Sequence, residues 1–184
     1  MLPRIFRGFA LSVALGFMGT SVFALPYGGE VPAFEGQPLL ALKRYEPSSM
    51  QMPVGGYLVP NSAIVLLRGN AQDNALFFGA LFGPLGTLAA NSAGAEAGKA
   101  AAGENPFRTD MPETLGKLIE TQYPELAGYM QPRGSSATGV RLVLEPKAFL
   151  RIAADGLTSV SVQLDVDLLG PTGDEKWKGR YSFT

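Results

Sequence analysis

The chain contains neither histidine nor cysteine. That double absence excludes the common zinc sites, the Ser-His-Asp and Cys-His catalytic arrangements, thiol redox chemistry and haem ligation by those side chains. It also excludes disulfide staples and a lipid anchor on a cysteine. Basic charge is scarce as well, with 15 Lys and Arg against 16 Asp and Glu. A nucleic-acid binder clusters cations on one face, so a nucleic-acid partner is not expected. One further absence is local: Asn74–Ala95 holds no charged residue in 22 consecutive positions.

What is present begins with an export signal. Arg4 and Arg7 precede an apolar, charge-free run over Gly8–Val22, and Val22-Phe23-Ala24 supplies small residues three and one positions before a cut. The run is shorter than the ~20 residues that span a bilayer. Cleavage is therefore expected after Ala24, with a periplasmic or secreted destination. Two of the 15 basic residues and no acid lie in residues 1–24, so the remaining 160 residues carry 13 basic against 16 acidic groups, a net charge of −3. That length suits one domain with a real core. The expected organisation is a signal peptide over 1–24, a Gly/Pro-rich leader over 25–36, and one domain over 37–184.

The clearest strand pattern is Thr158–Leu168. Val160, Val162, Leu164, Val166 and Leu168 alternate with Ser159, Ser161, Gln163, Asp165 and Asp167, which gives a strand with one dry and one wet side. Trp177, Gly179, Tyr181 and Phe183 alternate with Lys176, Lys178, Arg180 and Ser182 beyond the turn residues Gly170–Asp174. With apolar faces matched, Asp165 and Asp167 meet Arg180 and Lys178, or Lys178 and Lys176 two residues over. Opposite charges across a strand pair contribute ~0.2–1 kcal/mol each. Trp177, Tyr181 and Phe183 line up with the apolar side of the first strand, so core rather than a ligand-stacking face is expected of them. Upstream, Val140–Leu144 and Ala148–Ala153 read as one strand interrupted or edged by Pro146, and Ala154-Asp155-Gly156 as a turn. The C-terminal third is thus expected to be a three-strand antiparallel meander.

Earlier in the chain, Pro38–Tyr45 reads as a short strand. Pro47–Pro60, with its prolines and Gly55-Gly56, reads as loop or irregular edge. Ala63–Leu67 is a continuous apolar run suited to a strand covered on both faces. Asp110–Gln122 has a helix start, with capping-box spacing between Asp110 and Glu113, and an apolar face of Leu115, Leu118 and Ile119. Together these predict an α+β fold: one mostly antiparallel sheet of four or five strands with helices packed on one face.

The charge-free segment predicts two helical pieces, Asp73–Phe82 capped by Asp73 and Leu85–Ala102, divided before Pro84. Gly86, Ala90, Gly94, Gly98 and Ala102 recur every four residues in the second piece. Small residues at that interval let another backbone approach closely. Three roles compete for the segment: packing on its own sheet, contact with a membrane or a second molecule, or a linker. The residues that would make such a contact are Phe77, Phe78, Leu81, Phe82, Gly86, Gly94 and Gly98.

No catalytic or cofactor motif is complete. Gly94–Ala100 imitates a phosphate-binding loop but has Ala93 at the first glycine position and Ala100 in place of Ser or Thr. Asp165, Asp167 and Asp174 do not form a calcium loop, and their expected role is a solvated face paired with lysines. The carboxylate pairs Glu120/Glu125 and Asp165/Asp167 do not face each other across a cleft, and no Ser/Lys pair has distinctive spacing. The expected function is a non-catalytic envelope protein, without cofactor or metal, that binds or assembles with another envelope protein, the membrane surface or itself. A small apolar-ligand binder is the alternative, and a Ser/Lys or carboxylate hydrolase a distant third.

Overall fold

Strand β4 (Arg141–Ala153) is the spine of the sheet, and every other strand joins it directly or through one neighbour. The structure is a computed structural model that describes residues 32, 38–48, 51–68, 71–104, 109–131, 139–153 and 156–183. The expected signal peptide, nearly all of the expected leader, residues 132–138 and two residues of the expected turn, Ala154 and Asp155, lie outside the described residues. The architecture is α+β, with a mostly antiparallel sheet of six strands in the order β2-β3-β4-β5-β6 and β1 also on β4.

On one side β4 pairs antiparallel with β5 (Gly156–Leu169), which pairs antiparallel with β6 (Glu175–Phe183). In the β5–β6 register Leu164 faces Tyr181, Asp165 faces Arg180, Asp167 faces Lys178 and Leu168 faces Trp177. Of the two registers compatible with the charges, this is the one that puts the guanidinium on Asp165. The indole of Trp177 lies across Gly179, where any added side chain would collide with the ring.

The other side of β4 carries two short parallel strands placed end to end. β1 (Leu39–Leu42) runs along Arg141–Leu144, and β3 (Ile64–Arg68) runs along Ala148–Ile152. Pro146 lies between them. The Ala148 N–H donates to Ala63 O on this side, and N–H groups two residues apart on a strand point the same way. The donor that proline lacks therefore faces the gap between β1 and β3. Pro146 does not end the strand; it ends one ladder and leaves room for the next to begin.

β2 (Gly56–Val59) pairs antiparallel with β3 at the edge of the sheet, so of the two readings of Pro47–Pro60 these four residues take the edge. Pro53 and Pro60 flank the four paired residues, so no ladder donor is lost. This strand takes the count beyond the four or five expected. The tight connection to β3 has Asn61 and Ala63 at φ 58°. Ser62, buried within it, donates from Oγ to Val59 O (2.8 Å) and accepts from the Ile64 N–H (3.0 Å).

Helix α1 (Ala71–Glu104) starts two residues before Asp73, which is therefore in its first turn rather than at its cap. Helix α2 (Met111–Gln122) is capped by Asp110, whose Oδ1 accepts from the Glu113 N–H (3.3 Å), and the single turn α3 (Pro124–Ala127) follows. α2 and α3 place Leu115, Ile119 and Leu126 against Leu40, Leu142, Leu144, Val166, Leu168, Trp177 and Tyr181. The end of α1, through Ala101 and Ala102, joins Val59, Ile64, Leu66 and Ala148. Leu142, Leu144 and Ala148 alternate on one side of β4, so both helices cover the same face. On the opposite face Tyr45 and Met52 pack with Ala63, Val65, Leu67 and Phe149.

Candidate functional site

Helix α1 buries Gly86, Gly94 and Gly98 and exposes Leu76, Leu81, Leu85 and Leu88. Gly83 has φ 64° and ψ −150°, a conformation that glycine reaches without a Cβ penalty. It divides the helix, and Pro84 then occupies a first-turn position where its missing N–H is harmless. Past this kink, Gly86, Gly94 and Gly98 are buried. A Cβ on Gly94 would lie 2.6 Å from Gly55 Cα, and one on Gly98 would lie 2.6 Å from Tyr57 Cβ. Asn91 Oδ1 accepts from the Gly55 N–H at 2.6 Å, pinning the same contact. The small stripe thus seats the helix on the β2–β3 pair of its own sheet.

At 100° per residue the opposite face carries Leu85, Leu88, Ala89, Ser92, Glu96 and Lys99, all exposed. Leu76, Leu81, Leu85 and Leu88 are 74, 59, 77 and 61 % exposed. Isolated exposed leucines are ordinary, but grouped ones mark a contact surface. Of the residues named from sequence, Leu81 lies on this outward surface, while Gly86, Gly94 and Gly98 are buried. Phe77, Phe78 and Phe82 belong to α1 by their backbone, and their side chains lie outside the described residues. Among the described residues no helix is long and apolar enough to cross a membrane.

A second constellation lies on the other face of the sheet. Lys147 is 4 % and Asp165 7 % exposed, which corrects the expectation that Asp165 belongs to a solvated face. Glu145 and Asp165 are direct cross-strand partners, a like-charge pairing that is unfavourable alone. Three cations offset it. Lys147 Nζ is 2.5 Å from Asp165 Oδ2 and 3.8 Å from Glu145 Oε1. Arg180 donates from Nε and Nη2 to the two oxygens of Asp165 at 2.6 and 2.9 Å. Lys43 Nζ is 2.8 Å from Glu145 Oε2. Tyr45 closes the cluster, its ring centroid 4.4 Å from Lys147 Nζ and its edge against Phe149. Lys178 Nζ stands 3.2 Å from Asp167 Oδ1, without hydrogen-bond alignment.

The charges respond to one another. Burial alone would raise the Asp165 pKa, but hydrogen bonds from Arg180 and Lys147 outweigh it and hold the carboxyl below its usual range. The bond to Glu145 raises Lys43 against the opposing effect of burial. Burial raises Tyr45. A carboxylate held ionised between two cations is a fixed ion network rather than a base waiting for a proton. Among the described residues no group of three His, Cys, Asp or Glu is placed to hold a metal ion.

No family model, curated protein or solved structure matches this chain.

Sequence reasoning named the Asp165–Arg180 pairing but missed Lys147, Glu145 and Tyr45. A signal marks two of them. Glu145 and Lys147 are opposite charges two apart in the middle of β4, hence on one face, and the neighbouring strand repeats that spacing with Asp165 and Asp167. Tyr45 has no such signal, because it reaches the cluster only through a contact between residues about 100 positions apart in the chain.

Proposed function

We propose that this protein is an exported, non-catalytic assembly module of the cell envelope, which docks through the outward face of α1 onto an apolar surface. The carrying observation is the inverted helix: Gly94 and Gly98 face the sheet while Leu85 and Leu88 face outward. A helix serving only its own domain turns its large apolar side chains to the core. Here the inward stripe fixes the helix and leaves the leucines free for another surface. The charge-free Asn74–Ala95 stretch keeps the desolvation penalty of docking low, because no ion is stripped of water. Export rests on Arg4, Arg7, the Gly8–Val22 run and the small residues before Leu25. The ion cluster supports the non-catalytic reading, since its carboxylates are committed to Lys43, Lys147 and Arg180.

Fractionation of producing cells tests this reading. The protein is expected in the envelope fraction, associated with a membrane or a larger assembly, and released by mild detergent. Replacing both Leu85 and Leu88 by Ser removes ~1.5–3 kcal/mol of apolar burial per leucine and weakens the association by roughly a hundredfold or more. A protein that is wholly monomeric, unaffected by detergent and indifferent to the double replacement defeats the proposal.

A further inference from the structure

We draw no further inference here: the strongest candidate, the sheet edge at β6 lined by Lys176, Lys178 and Arg180, carries nothing because each of these cations is already paired with a carboxylate of its own chain and nothing in the structure shows what would add to the strand.

Discussion

Asp165 shows how much one side chain on the second sheet face can carry. Its carboxylate takes two bonds from Arg180 and one from Lys147, nearly out of water. Breaking such a pair from one side leaves a buried charge without its partner, which destabilises by ~3–5 kcal/mol. Asp165→Asn is therefore expected to lower the urea midpoint severely, by about that amount of stability. Replacing Lys147 by Met and Asp165 by Leu together is expected to be far milder than either change alone. Arg180, half exposed, can then turn to solvent. The pH dependence has a definite sign. The folded Asp165 pKa is depressed, so its contribution is complete above the unfolded value of ~3.9 and is lost as pH falls through the lower folded value. Urea denaturation between pH 6 and pH 2 is expected to show stability dropping at the acid end. Asp165→Asn is expected to flatten that drop.

Helix α1 sets two physical effects against each other at its glycines. Glycine in a helix is ~1 kcal/mol less favourable than alanine, so alanine helps wherever space allows. Gly103 has no atom within 4 Å of a built Cβ, and Gly103→Ala is expected to stabilise by a few tenths to ~1 kcal/mol. At Gly94 the same atom would run into the Gly55 backbone. Overpacking of that kind costs about 1–3 kcal/mol, so Gly94→Ala is expected to destabilise despite its better propensity. Thermal melts of the two variants check the opposite signs. At Gly83, positive φ makes any other residue strained, and the kink there sets the direction of the leucine-bearing first run. Four-residue spacing identifies the stripe at Gly94 and Gly98 from sequence. Spacing cannot say whether the backbone approaching it belongs to the same molecule, because the rule for close approach is the same in both cases.

For the whole molecule, the two ends of the chain's architecture are held differently. The centre of the sheet is paired on both sides and covered by α2 on one face and by the Tyr45 segment on the other. The packing of α1 against the sheet runs through β2 and β3, at its later turns. Local opening follows the number of buried contacts that must be broken. Native-state hydrogen exchange is expected to show the slowest amides in β4 and β5 at Leu142–Leu144 and Val166–Leu168. The amides of Leu76–Leu81 are expected to exchange at least a hundredfold faster. If α1 proves as protected as β4 in a monomeric sample, its outer face is not free and the docking proposal loses its basis.

Alternation and charge in the sequence determined the long strands and the capped helix α2, and narrowed the register of β5 on β6 to two, because each depends on residues near one another in the chain. The α+β class follows from the order of those elements. Tertiary structure alone decided the rest. The parallel strands β1 and β3 share an edge of β4 only because Pro146 lacks a donor where one ends and the other begins. Gly56–Val59 is a strand because β3 offers it an edge, although Pro53, Gly55, Gly56 and Pro60 around it read as loop or irregular edge. Tyr45 packs on Lys147, the buried partner of Asp165, from more than 100 residues earlier in the chain, and no local pattern encodes a contact that comes from so far away.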